Sequence, residues 1–377
     1  MQRLPEQYFT ALLARVAAAA SDGGEPLVDL GRGNPEVAPP PHVVEALARS
    51  AGRPDVHGYA PFAGLPALKE AIARRYATVY GVELDPTREV AIVPGSKTAL
   101  MEFALVAVDR GETILLPDPG YADYPSAVAL AGAMRGSFTG DFDGARGAAL
   151  YLNYPSNPTA ACAPDGLFDA AVQWAERHDA WVLHDFAYGD LVFDDRRPQS
   201  FLAADGARDV GVELFSMSKS YGMAGWRVGF VLGNAELVTR IETLQDHVFA
   251  GIFRPVQEAA IAALSGPQSS VEERRATYER RRDRALEALR GVDAKSEGTF
   301  FVWFRLPDGV TAERLLAEHR VAVAPGEGFG PRGTGYARVS LAVTDETLDA
   351  GLERLAAALA KAATARDVAR PSRSAAR

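Results

Sequence analysis

The chain has 377 residues, 47% of them hydrophobic and 24% charged, with a formal net charge of −9. This is the composition of a folded globular chain too long for one small core, and its acidic balance argues against a general nucleic-acid-binding surface. A single cysteine, Cys162, excludes an intrachain disulfide framework and fits a reducing compartment.

The first residues, MQRLPEQYFTALLARVAAAA, lack the long apolar core and cleavage site of a secretory leader, and no apolar run is long enough to span a bilayer. A cytoplasmic location is expected, with no membrane partner. Residues 64–80 carry the periodicity of an amphipathic helix. Short apolar runs then alternate with helical stretches: Val90–Val93, Thr113–Leu116, Ala149–Asn153, Trp181–His184, Glu213–Ser216 and Val228–Leu232. Most end in Gly, Pro, Asn or Ser clusters that mark turns. Continuous apolar runs with helices between them predict an α/β fold whose mostly parallel sheet is covered on both faces.

Residues 254–290 read as arginine-rich helices, followed by strands over Thr299–Leu306 and Tyr336–Ala342 and a helix ending near Ala363. These form a second, smaller α/β unit. The expected division is an N-terminal arm with part of the smaller unit over 1–45, a large unit over 46–265 and the small unit over 266–365. A tail over 366–377, without an apolar pattern, is expected to be disordered.

Only five lysines occur: Lys69, Lys97, Lys219, Lys295 and Lys361. Lys69 and Lys361 sit in amphipathic helical runs and read as solvated charges. Lys295 lies in a turn-like stretch. Lys97 follows Gly95 and Ser96 at a strand-to-helix turn, where its backbone matters more than its amine. Lys219 differs, in the stretch ELFSMSKSYGMAGWRVGF. Ser216, Ser218 and Arg227 supply a phosphate-binding set beside one amine, a combination rare by chance.

The S-x-S-K stretch with Arg227 resembles the cofactor-lysine motif of the class I/II aminotransferases, which are fold-type I pyridoxal-phosphate enzymes. GRGNP (31–35), GYAPFAGLPALKEAIA (58–73), PGSKTAL (94–100), DPGYADYP (118–125), NYPSNPTA (153–160), HDFAYGDL (184–191) and ARVSLA (337–342) match in the family's order. The lysine segment alone is specific, and the ordered set is highly specific. The PEQYF start, GRGNP and GIFRPVQEAAIAAL (251–264) look most like the diaminopimelate-type and aspartate-type branch.

The resemblance implies a large pyridoxal-phosphate-binding domain and a small domain. It assigns Lys219 as the amine that holds the cofactor aldehyde and then moves the proton at the substrate α-carbon. It implies that Asp185 pairs with the pyridine nitrogen, keeping the ring an electron sink. Tyr188 and Asn157 contact the ring's phenolate oxygen, and Tyr121 stacks on the ring. Gly95, Ser96 and Lys97 offer backbone N–H groups to the phosphate at a helix N-terminus, with Ser216 and Arg227 adding side-chain donors. Tyr59 reaches the phosphate of a neighbouring subunit, which implies a homodimer with shared sites. Arg338 grips the substrate α-carboxylate as a fork, helped by Gly33 and Asn157. No metal is expected.

One departure stands out: the usual NPTG reads NPTA, and if Ala160 needs positive φ it carries a cost on the order of 1 kcal/mol. His184 is expected to be a structural neighbour of Asp185 or a group that supports it from behind, and Cys162 to be inert. Whether Arg32, Arg254, His57 or His247 face the substrate stays open.

The implied activity is transfer of the amino group of an α-amino acid to a 2-oxo acid. A carbon–sulfur β-lyase or a specialised-metabolism enzyme on the same scaffold is the alternative. A cofactor-sensing regulator would carry an N-terminal DNA-binding domain, whereas this pattern begins almost at residue 1.

Overall fold

The computed structural model describes residues 4–369. Its strands in chain order are β1 (Val28–Asp29), β2 (Val90–Val93), β3 (Thr113–Pro117), β4 (Met134–Phe138), β5 (Ala149–Asn153), β6 (Trp181–Asp185), β7 (Gly211–Ser216), β8 (Gly229–Gly233), β9 (Ala294–Lys295), β10 (Phe301–Arg305), β11 (Val321–Ala322), β12 (Ala324–Pro325) and β13 (Tyr336–Ser340).

Seven of them form one sheet in the order β2-β8-β7-β6-β5-β3-β4. Strands β4, β3, β5, β6 and β7 pair in parallel, while β8 runs antiparallel to both β7 and β2. Every residue of β2, β5, β7 and β8 is buried. That two-sided burial is why these strands read as unbroken apolar runs. Strand β4 was not legible in the sequence. It lies at the sheet edge and buries only Phe138, so it lacks both an apolar run and an alternation.

The direction of these strands places the site. β2, β3, β5, β6 and β7 all end at one edge of the sheet, and β8, running the other way, begins there. Open α/β sheets build their sites beyond the C-terminal strand ends.

A second core gathers around the antiparallel sheet β12-β13-β10-β9. Tyr278 and Ala285 of helix Ser269–Ala288 and Leu348, Leu352 and Leu355 of the last helix cover it. Strand β1 pairs in parallel with β11, with Val28 opposite Val321, and so ties the chain's beginning to this C-terminal unit. Helix Pro41–Ala51 packs instead against helix Arg254–Ser265 of the larger unit. Helix Tyr8–Ser21 lays Leu12, Tyr8 and Phe9 against Trp303 and Phe329.

The last helix, Asp345–Ala369, continues past the expected end near Ala363 and takes in the first residues of the anticipated tail, whose remainder lies outside the described residues. Leu348, Leu352, Leu355 and Leu359 form its apolar stripe, and the alanines among and after them favour continuing the helix. Ala160 has φ 55° and is fully buried. Its carbonyl accepts from the N–H groups of Glu297 and Gly298, so surrounding bonds hold the left-handed conformation that glycine adopts more cheaply.

Candidate active site

A cavity of about 470 Å³ opens at the shared strand edge. Ser96, Lys97, Tyr121, Asn157, Asp185, Tyr188, Ser216, Lys219 and Arg227 line it from the larger unit, and Gly33 and Arg338 from the other side. These residues span more than 300 positions of chain. Those of the larger unit flank strand ends, whereas Arg338 stands inside β13 and Gly33 follows β1.

Lys219 follows β7 on a short helix, Met217–Ser220, capped by the Ser216 hydroxyl accepting from Ser218 N–H at 3.2 Å. Its amine lies 5.8 Å from the Tyr188 ring centre and 5.3 Å from that of Phe300. Among the described residues no carboxylate forms an ion pair with it, whereas Lys69 bonds Glu242 at 2.5 Å and Lys97 bonds Asp123 at 2.8 Å. Burial pushes the Lys219 amine down to about 8, and the Arg338 and Arg227 guanidinium charges push the same way; Asp185 opposes them. A lysine so placed spends far more time neutral than a surface lysine, as a nucleophile or base requires.

Asp185 ends β6 and is almost fully buried. Its Oδ2 accepts from the Tyr124 hydroxyl at 2.9 Å and its Oδ1 from Ala187 N–H at 3.2 Å. Burial raises its pKa, and these two bonds hold it back. Its neighbour His184 points to the other face of the strand. There Nδ1 meets Glu213 at 2.7 Å and Nε2 the carbonyl of Tyr154 at 2.9 Å, a structural role as expected. Glu213 also accepts from Tyr76, Ser200 and the N–H of Phe201, so this buried carboxylate is fully bonded.

At the opposite end stands an anion cradle. Helix Ser96–Ala107 begins beside β8, and its first N–H groups have no carbonyl behind them. Gly95 precedes it with φ 89°, and a Cβ there would lie 2.2 Å from Nη2 of Arg227. Arg227 is held by its own bonds to the carbonyls of Ala224, at 2.8 Å, and Pro94, at 3.3 Å. The guanidinium thus packs on bare glycine backbone beside a helix N-terminus and the Ser216 and Ser218 hydroxyls. Such a set suits a phosphate.

Arg338 is 1% exposed on β13, in register with Trp303 and Ala324. Nη1 donates to Asn157 Oδ1 at 2.5 Å and Nη2 to the Gly31 carbonyl at 3.1 Å. Its guanidinium lies 3.8 Å from the Phe301 ring centre. Burial lowers it to about 10, which leaves it cationic at neutral pH.

Tyr59 is not brought to this cavity: it is 88% exposed. His57, His247 and Arg254 do not line it either, while Arg32 does. Cys162 lies elsewhere, its thiol pushed up to about 11 mainly by burial, in keeping with an inert role. Sequence reasoning missed Tyr124, Asn153, Phe9 and Phe301. Asn153 donates to the Asp185 carbonyl at 2.8 Å and accepts from Asn157 N–H at 2.7 Å, so it fixes two site loops at once. It stands in NYPSNPTA, and its place at a strand end was the available signal. Phe9 stands in the PEQYF start, which marked the branch but gave no sign that the ring reaches the cavity. Thr299, a β-branched residue at φ 69°, accepts from Phe301 N–H and sets the turn that presents Phe300 and Phe301.

The model of the aminotransferase class I and II family matches residues 25–355. The chain belongs to this family. The L-glutamine–4-(methylsulfanyl)-2-oxobutanoate aminotransferase of Bacillus subtilis (strain 168) is 41% identical over 376 residues, covering 94% of each chain. An LL-diaminopimelate aminotransferase of Dehalococcoides mccartyi (strain ATCC BAA-2266 / KCTC 15142 / 195) is 37% identical, covering 94% of this chain and 97% of its own. Among solved structures, substrate-bound BacF from Bacillus subtilis superposes with a TM-score of 0.88 at 36% identity, over 94% of this chain and 95% of that one.

The chain is therefore a fold-type I, pyridoxal-phosphate-dependent aminotransferase that moves an amino group between an α-amino acid and a 2-oxo acid. The cavity fits that cofactor on its own chemistry. The Gly95–Arg227 cradle suits the phosphate, the Lys219 amine suits the aldehyde, and the buried Asp185 carboxylate suits a protonated ring nitrogen. Among the described residues there is no cluster suited to a metal ion.

Proposed function

We propose that this aminotransferase works through Lys219 as cofactor-holding amine and proton carrier, with Asp185 and Tyr188 beside it. When bound, pyridoxal phosphate supplies an electron sink for the pair left at the substrate α-carbon. Asp185 would hold the proton on the ring nitrogen. Tyr188 and Asn157 would offer polar groups to the ring oxygen, and Tyr121 would pack against the ring. Gly95, Ser96, Lys97, Ser216 and Arg227 hold the phosphate. Arg338 binds the substrate α-carboxylate, with Asn157 and Gly33 beside it. Lys219 then carries a proton to or from the α-carbon, which its lowered pKa favours.

The observation that carries this reading is the amine of Lys219, enclosed at a strand end between Asp185 and the cradle and forming no ion pair among the described residues. The test is borohydride reduction of the holoenzyme followed by peptide mapping. The reduced cofactor is expected on Lys219; finding it on Lys97, or on no lysine, overturns the assignment.

We also propose a homodimer in which Tyr59 reaches the partner's phosphate cradle. Tyr59, Phe62, Val248 and Phe253 are all exposed. They belong to two segments that meet where Gly251 approaches Pro61 and Phe62. An aromatic patch of this kind is usual at an interface. Tyr59→Phe should weaken cofactor binding although Tyr59 lies outside the chain's own cavity; unchanged affinity counts against a shared site. The domain division is proposed with one shift, to 40/41, because residue 45 falls inside helix Pro41–Ala51. A cytoplasmic location rests on the single cysteine and the composition.

A further inference from the structure

Five arginine side chains are buried among the described residues: Arg75, Arg274, Arg281, Arg282 and Arg338. Arg75 is paired with Asp190, Arg281 with Glu36 and Asp345, and Arg282 with Asp194, while Arg338 lines the cavity. Arg274 is different. It is 3% exposed and forms no ion pair among the described residues. Glu36, whose charge acts on it, is bonded to Arg281 and Tyr278 instead. A buried guanidinium without a counter-ion is costly, and what offsets the cost here is a set of backbone carbonyls.

Nη1 of Arg274 donates to the carbonyl of Ser220 at 2.7 Å and to that of Lys219 at 3.3 Å, and Nη2 donates to the carbonyl of Ala38 at 3.1 Å. The first two carbonyls end the four-residue helix Met217–Ser220, where they have no partner within the helix. The third belongs to the segment that begins at Gly31, whose own carbonyl accepts from Nη2 of Arg338 at 3.1 Å. Gly222 allows the close approach: a Cβ there would lie 2.5 Å from the Val37 carbonyl oxygen and 3.0 Å from Nη2 of Arg274. Arg274 itself stands on helix Ser269–Ala288, which puts Val271 into the larger core and Tyr278 into the smaller one. One guanidinium thus joins the backbone of Lys219, the segment that bonds Arg338 and the helix that crosses between the two cores.

We propose that Arg274 is a positioning residue for amino-group transfer: it fixes the backbone of Lys219 and ties it to residues 31–38, so that the amine and the carboxylate site of Arg338 keep one register. Proton transfer needs the amine within bonding reach of the α-carbon, and both attachments set that distance. Arg274 does not line the cavity, and its charge is not among those that act on the Lys219 amine. Its effect is therefore one of place and not of charge. The proposal rests on the readings of Lys219 and Arg338 given above.

The test compares the parent with Arg274→Met and Arg274→Lys by two measurements. One is the rate of pyridoxal phosphate uptake by the cofactor-free protein, at saturating cofactor and against pH. The other is the single-turnover rate of the holoenzyme against L-alanine concentration; uptake needs no suitable donor and decides alone if L-alanine is a poor one. In Arg274→Met both maximal rates should fall about tenfold, the loss expected of one charge-assisted bond, while the pH midpoint of uptake stays near 8 and half-saturating L-alanine changes less than about twofold. Arg274→Lys can serve one carbonyl and should lie between that variant and the parent. Maximal rates within twofold of the parent in both variants, a moved midpoint, or a loss confined to half-saturation overturns the proposal. Should Arg274→Met not fold, Arg274→Lys decides: maximal rates more than twofold lower at an unmoved midpoint support the positioning role, and parent-like rates overturn it. Borohydride reduction of the parent keeps the two readings apart, because cofactor mapped away from Lys219 is a failure of that assignment.

Discussion

The phenol of Tyr124 donates to Asp185 Oδ2 at 2.9 Å, and both groups are buried. This bond opposes the burial that would otherwise drive the carboxyl towards its neutral form. Tyr124→Phe removes it and raises the Asp185 pKa further. The acid limb of the kcat profile should then move to higher pH, with activity at neutral pH lower by roughly tenfold for a bond to a charged group. Asp185→Asn should go further, retaining some cofactor yet losing most turnover, because an amide cannot hold the ring proton. An unmoved acid limb in Tyr124→Phe would show that the tyrosine only packs.

Cofactor uptake by the cofactor-free protein reports on Lys219 directly. Only the neutral amine can react, so the uptake rate should fall about tenfold per pH unit below a midpoint near 8. Arg338→Met removes a like charge and should move that midpoint up. The linkage follows: between about 8 and the ordinary lysine value, the unfolded chain binds more protons than the folded one, so cofactor-free protein gains stability as pH rises through that window. A midpoint in the ordinary lysine range would contradict the enclosure described here.

Gly95→Ala tests the cradle. The added Cβ would meet Arg227 Nη2 at 2.2 Å from a backbone at φ 89°, so the guanidinium must move. Losing one charge-assisted bond, at about 1.5–3 kcal/mol, predicts cofactor affinity lower by about 10- to 150-fold. Equilibrium dialysis against pyridoxal phosphate measures it. Affinity within twofold of the parent would place the phosphate elsewhere.

Arg338→Lys keeps the charge and loses the fork. The same range, about 1.5–3 kcal/mol, predicts a loss of about 10- to 150-fold in kcat/KM. Arg338→Ala should be worse, because Asn157 Oδ1 and the Gly31 carbonyl also lose their donor. The cofactor absorbance should stay nearly unchanged in both. Release of cofactor with substrate affinity intact would move Arg338 to the phosphate site.

Local chemistry was enough for much of this molecule. Strands buried on both faces must be continuous apolar runs, so β2, β5 and β6 were legible within a residue, and the amine beside two serines and an arginine singled out Lys219 among five lysines. The left-handed backbone at Ala160 could be anticipated from the motif alone. What the sequence could not carry is any property that depends on which strand ends share an edge. Tyr124 reaches Asp185 across 61 positions because parallel strands of one sheet end together, and Asn157 reaches Arg338 across 181 because β13 belongs to a second sheet that meets that edge. The edge strand β4 hid because little packs on its faces, so that only Phe138 is buried. Arg32 was one arginine among many until folding set it at the lining of the cavity, with no ion pair among the described residues, since a charge is defined as unpaired only by what surrounds it in space.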